Sequence, residues 1–146
     1  MISVETSGKF ASFDLSKMGE VMKSVSEFML DEVRENFSQD GRPKWDVHAP
    51  STIKKYGAHP LLRLSYRMYN AIQASNTNEE AIVDGGDAVA PYGKYNHFGT
   101  FRKGKRHIPP RPFLMLPPER WEALVGVFAK EFEGKVITYN EPKANK

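Results

Sequence analysis

Leu15 to Phe37 reads LSKMGEVMKSVSEFMLDEVRENF, with apolar residues at Leu15, Met18, Met22, Val25, Met29, Val33 and Phe37 and with Val21 and Phe28 beside them. Steps of three and four, kept over about six turns, lay one apolar stripe along a helix. The pattern predicts an amphipathic helix from about Ser16 to Phe37. Asp14 or Ser16 can cap its start, and Asp40-Gly41-Arg42-Pro43 supplies the turn that stops it. Three of the stripe residues are methionines, which suits an adaptable core face.

Outward from this helix the elements shorten. Met1 to Phe13 alternates loosely and holds a short strand or an arm. Pro43, Pro50 and Pro60 break the stretch after the helix, leaving room for one short helix opened by Ser51-Thr52. Leu61 to Ala74 reads as a second helix with Leu61, Leu64, Met68 and Ile72 on one face. Ala81 to Val83 and Ala88 to Ala90, around Asp84-Gly85-Gly86-Asp87, have the layout of a β-hairpin. Arg111 to Leu116, bracketed by prolines, reads as an edge strand or extended segment. Pro117-Pro118-Glu119 opens a long helix whose Trp121, Leu124, Val125, Phe128 and Phe132 mark the core side and which Gly134 ends; Lys135 to Tyr139 is a final strand. No regular βαβ alternation is present, so the class is α+β: a small antiparallel sheet packed against two longer amphipathic helices, which supply most of the core. The expected organisation is one domain over residues 1–139 and a flexible tail over 140–146.

Composition narrows the chemistry. The 146 residues contain no cysteine, which excludes disulfides, thiolate catalysis and cysteine-ligated metals. No run approaches the roughly 18 apolar residues of a membrane span, and MISVETSGKF lacks the layout of a signal peptide, so a cytoplasmic protein with no membrane partner is expected. His48, His59, His97 and His107 form no helical i, i+4 pair and no HExxH spacing. A nucleophile elbow, a phosphate-binding glycine loop and a dinucleotide fingerprint are all missing from the sequence. The expectation is therefore a protein that is not an enzyme, with no catalytic, cofactor-binding or metal-binding residues and no cofactor.

Charge is distributed in blocks. Asp14 to Asp40 holds seven acids against three bases, whereas no acid occurs between Asp87 and Glu119. That acid-free window contains YGKYNHFGTFRKGKRHIPPRPFLML, residues 92–116, with Lys94, Arg102, Lys103, Lys105 and Arg106 among interleaved aromatics. Such a tract carries a positive field suited to phosphates, with Tyr92, Tyr95, Phe98 and Phe101 able to stack on bases. No helix-turn-helix, zinc-finger or RRM signature accompanies it. Opposed blocks also suit head-to-tail self-association, the acidic face of one subunit meeting the basic face of the next. Pro109, Pro110 and Pro112 pre-stiffen the segment that delivers Phe113 and Leu114 to a core or a neighbour; Arg111 among them is expected to pair with an acid of the first helix.

In order and spacing the blocks from about Asn36 to Leu116 resemble the phage virion-morphogenesis family, the Mu-type tail-completion proteins. The family's G-x-x-W, T-x-x-K, leucine-rich, Y-x-x-x-H-Q-F-G and I-P-x-R-P-F-L-G blocks correspond to Gly41 to Trp45, Thr52 to Lys55, Leu61 to Ile72, Tyr92 to Gly99 and Ile108 to Leu114. Three departures stand out: the glycine of the leucine-rich block is Tyr66, the H-Q pair is Asn96-His97, and the glycine after RPFL is Met115. The last removes the residue expected to make a tight turn there. The resemblance implies a structural tail-completion or head–tail joining protein, acting in the bacterial host cytoplasm during assembly and then in the virion tail or neck. It implies a ring-shaped homo-oligomer, hexameric if it follows a tail tube, with tail tube or head–tail connector proteins as partners. It makes Trp45, Tyr92, Asn96, His97, Phe98, Gly99, Pro110, Arg111, Pro112, Phe113 and Leu114 candidates for the assembly interface. Arg102, Lys103, Lys105 and Arg106 are expected on a flexible loop at a ring surface or lumen, and these four with Lys94 are expected to face the lumen or a nucleic acid, in transient contact with DNA. The alternative from the residues alone is a basic DNA-binding accessory protein of phage origin.

Overall fold

The expected first helix is the backbone of the molecule. In the computed structural model, which describes residues 2–6, 9–85 and 92–140, α1 runs from Met18 to Ser38 behind a short 3-10 turn at Leu15–Lys17. Asp14 caps the entry, its Oδ1 accepting from Ser16 N at 3.0 Å. At the exit Asp40 takes a left-handed φ of 51°, Gly41 N donates to Asn36 O at 2.7 Å and Asp40 N to Phe37 O at 3.3 Å. This pair of bonds closes the helix in a Schellman motif.

The remaining elements are β1 (Ile2–Thr6), β2 (Lys9–Phe13), α2 (Pro50–Tyr56), α3 (Arg67–Ala71), β3 (Gln73–Asn76), β4 (Ala81–Asp84), α4 (Gly93–Phe98), β5 (Thr100–Arg102), β6 (Lys105–Ile108), α5 (Trp121–Glu133) and β7 (Val136–Asn140). Among the described residues three small antiparallel sheets form: β1-β2-β7, β3-β4 and β5-β6. The fold is α+β. Among the described residues no helix is long and apolar enough to cross a membrane.

The main core gathers on the C-terminal half of α1. Val33 and Phe37 meet Trp45, Leu61, Met68, Ile72 and Phe113, all buried. Phe37 is the hub, with ring centroids 5.7 Å from Trp45, 5.3 Å from Tyr69 and 5.5 Å from Phe113. On the same helix Val21 and Val25 are buried while Met18, Met22 and Met29 are half-buried. The second long helix differs from its expected role. α5 packs on α1 yet has no fully buried residue, and Trp121 and Val125, expected on the core side, are 55% and 63% exposed. The covered side of α5 centres on Leu124, Val127 and Glu131, and on a 3.6-residue helix Trp121 and Val125 fall at and beyond its edge. Phe132 stacks on Phe13 of β2 with centroids 4.3 Å apart, tying the three-stranded sheet to α5.

Two more expectations are corrected. Leu61 to Ala74 is not one helix. Leu62 and Tyr66 hold left-handed φ values of 58° and 55°, so α3 begins only at Arg67, and the chain then extends into β3. Tyr66 thus occupies, in a conformation easy for glycine, the place where the resembling family has glycine. β4 is the predicted strand, and it pairs with the upstream β3, where the end of the helix was expected, with Ala74 opposite Val83. Thr77 sets that turn, its hydroxyl accepting from Glu79 N and Glu80 N at 3.1 and 3.0 Å. The remainder of the expected downstream hairpin, residues 86–90, lies outside the described residues, as do 141–146 of the expected tail. Arg111 to Leu116 joins no sheet: it bends at Leu114, and the carbonyls of Phe113 and Met115 on either side of the bend are bound by a side chain of α1.

Candidate functional site: a basic finger latched to the core

The latch begins at Asn36, which is fully buried. Its amide donates to Phe113 O at 3.0 Å and Met115 O at 2.7 Å, and its Oδ1 accepts from Arg42 Nε at 2.9 Å. Buried carbonyls of a proline-stiffened strand need a donor, and Asn36 supplies two. Met115, where the resembling family has glycine, is not among the residues with left-handed φ, although the chain bends beside it at Leu114. Glu32, one turn back, holds two cations: Arg120 at 2.8 Å from Oε1 and Arg42 Nη2 at 3.0 Å from Oε2, the latter also donating to Glu32 O at 2.6 Å. Glu32 raises the Arg120 guanidinium above its ordinary value by hydrogen bond and charge.

Arg111 was expected to pair with an acid of α1. It turns the other way: Nε and Nη2 donate to Asp46 O at 3.1 and 2.9 Å, and Nη2 to Val47 O at 3.3 Å. Glu32 of α1 is held by Arg42 and Arg120 instead. Burial lowers the Arg111 pKa, partly offset by the Asp46 charge. Backbone Arg111 N donates to Asn96 O at 2.7 Å, which pins α4 to the same strand. His97 is half-buried edge-on to Phe113, centroids 5.4 Å apart. Burial lowers its pKa.

Beyond α4 the chain leaves the body through Gly99, at φ 73°. A Cβ there would sit 2.6 Å from Ile108 O and 2.9 Å from Pro110 N, so only glycine lets the two ends of the excursion touch. The excursion, expected to be a mobile loop, is a β-hairpin. β5 and β6 pair with Phe101 opposite Arg106 and Arg102 opposite Lys105, around Lys103 and Gly104 at φ 49° and 74°. Two consecutive left-handed residues form the tight turn whose twist matches paired strands. Arg102, Lys103, Lys105 and Arg106 are exposed, and among the described residues none of them makes an ion pair. Phe98 and Phe101 are 75% and 70% exposed beside them. Lys94 is on α4, over the Tyr95 ring at 5.1 Å.

The predicted residues therefore divide. Trp45, Arg111 and Phe113 are buried and cannot face a partner in the folded chain. Asn96, His97, Gly99, Pro110, Pro112 and Leu114 are half-buried around the root of the finger. Tyr92, Lys94, Phe98 and the hairpin cations are exposed. Asn36 was missed, its only signal being a polar residue on an apolar stripe. Trp121 and Val125 were assigned to the core and are on the surface.

A groove of about 540 Å³ runs between the finger root and the segment before α3, with His48, His59, His107, Arg67 and Arg111 in its lining and no acid. His48 and His59 have ring centroids 4.2 Å apart. Burial, His59 and Arg111 lower the His48 pKa. Among the described residues no group of three or more possible metal ligands is assembled. The arrangement offers cations and aromatic edges to another macromolecule.

No family model matches the chain, and no solved structure does. The chain is 34% identical over 101 residues, spanning 68% of its length and 67% of the other protein's, to Mu-like prophage FluMu G protein 2 of Haemophilus influenzae. With that identity and coverage, this is a phage-related protein and belongs to the family of the Mu-like prophage FluMu G protein 2.

Proposed function

We propose that the chain is a structural, non-enzymatic protein of virion assembly that completes a phage or prophage tail, or joins it to the head, as a ring-shaped homo-oligomer. The observation that carries this reading is the finger: a hairpin whose exposed cations make no ion pair among the described residues, with exposed aromatics beside them. A prophage relative and charge arranged for heterologous contacts support it. Its partners in this reading are copies of itself and tail tube or head–tail connector proteins, with transient contact to DNA through Lys94, Arg102, Lys103, Lys105 and Arg106. It works in the host cytoplasm during assembly and remains in the tail or neck. Deleting the gene from an inducible prophage tests the proposal. The expected result is heads separated from free tails under the electron microscope, repaired by the wild-type gene; intact particles from the deletion would overturn it.

The exposed Tyr92, Tyr95, Phe98 and Phe101 beside the cations favour a second reading, a DNA-binding accessory protein. Gel shifts over a salt series separate the two. Tight binding of free DNA at physiological salt supports the accessory protein, and weak binding that vanishes there supports the ring.

A further inference from the structure

Two separate faces carry large apolar side chains beside charge that has no ion-pair partner among the described residues. One is the finger, with Phe98 and Phe101 among its cations. The other is the outer face of α5, where Trp121 and Val125 are 55% and 63% exposed and Glu119 and Glu122 are exposed beside them. α1, whose acids the sequence offered as the negative surface, is largely engaged within the chain. Glu20 holds Lys135 at 3.0 Å, Glu32 holds Arg42 and Arg120, and Asp40 holds Arg63 at 3.2 Å. Glu35 accepts from Ser38 and Gln39, Asp14 caps the helix entry, and Glu27 lies 3.9 Å from Lys23.

We propose that the finger of one copy docks on the α5 face of a second copy. Phe98 and Phe101 pack against Trp121 and Val125, while the finger cations meet Glu119 and Glu122. The inference rests on the homo-oligomeric reading above and specifies its contact. Like faces cannot pair: finger on finger sets cations against cations, and α5 on α5 sets Glu119 and Glu122 against their own kind. The contact is therefore heterologous, each copy offering one finger and one α5 face, which leads to a closed ring or an open filament.

Sedimentation velocity on the full chain tests it. Phe98→Ser with Phe101→Ser disables the finger, and Trp121→Ser with Val125→Ser disables the helix face. Each double variant is expected to keep the wild-type melting curve and to associate at least about 30-fold more weakly, as loss of central aromatic anchors does. Mixed together they should form a one-to-one dimer and nothing larger, since one intact finger meets one intact α5 face. Should either pair of serines impair folding, Lys105→Glu with Arg106→Glu against Glu119→Lys with Glu122→Lys repeats the test: each monomeric alone, associated when mixed. Either variant assembling like the wild type, or a mixture that stays monomeric, overturns the interface and leaves the ring reading standing. A wild-type chain that is monomeric at high concentration, with and without tail-tube protein, overturns the ring reading itself.

Discussion

Tyr92 to Leu116 divides at Ile108 into two parts, and the fold treats the aromatics and bases of the two in opposite ways. From Ile108 onward, Arg111 has backbone carbonyl partners, Phe113 is 1% exposed and the carbonyls of Phe113 and Met115 are bound by Asn36. Before it, Phe98 and Phe101 stand in solvent and the four hairpin cations make no ion pair among the described residues. Much of what makes the chain recognisable, Trp45 and the Arg-Pro-Phe run, is internal scaffolding. The groups free to act on a partner are the ones that scaffolding holds out.

Substitutions should separate the halves. Phe113→Ala removes a buried ring from the Phe37 hub and is expected to cost about 3–5 kcal/mol in chemical denaturation. A cost under about 1 kcal/mol would mean that the anchoring half is not part of the core. Asn36→Ala leaves two buried carbonyls and one guanidinium group short of a partner, for an expected loss of about 3 kcal/mol. Calorimetry on this variant measures the latch apart from the ring packing.

A smaller effect comes from pH. His97 and His48 are both held below the ordinary imidazole value of about 6.5, His97 by burial and His48 by burial with His59 and Arg111. The unfolded chain takes up these protons near that value and the folded chain resists them. Stability is therefore full above it and is lost as pH falls through the folded values. The melting temperature should drop between about pH 7.5 and pH 5. His97→Phe, which keeps an aromatic ring against Phe113, should shrink the drop; an unchanged drop would remove His97 from the explanation. The smallest effect belongs to the finger: Lys105→Glu with Arg106→Glu should alter stability by less than about 0.5 kcal/mol, as exposed substitutions do, while changing assembly. A large loss of stability there would erase the distinction between the halves.

Much of this was legible in the sequence where signals are local. The α1 stripe, its Asp14 cap and the turn after Gln39 follow from periodicity and turn chemistry read over short windows. The misreadings lie where local chemistry is ambiguous or partners are distant. Leu62 and Tyr66 adopt left-handed conformations that nothing in their side chains announces, and only the family's glycine at Tyr66 hinted at a break. Asn36 finds its acceptors 77 and 79 positions later, beyond any window. The composition of the basic tract was plain, but its hairpin shape rests on a Lys103-Gly104 turn, a weaker signal than Asn-Gly. α5 repeats apolar residues on a helical period, and periodicity alone does not say which of them the body will cover.

Among the described residues the sheet of the finger holds only β5 and β6, so there each strand has one edge whose backbone groups lack a strand partner. Such edges invite further strands, and short length and dense charge are how proteins keep them from stacking into aggregates. The hairpin cations thus act as gatekeepers for solubility as well as contacts for a partner. Neutralising them would yield sticky protein rather than a silent variant, which is why reversal of charge is the cleaner probe of the finger.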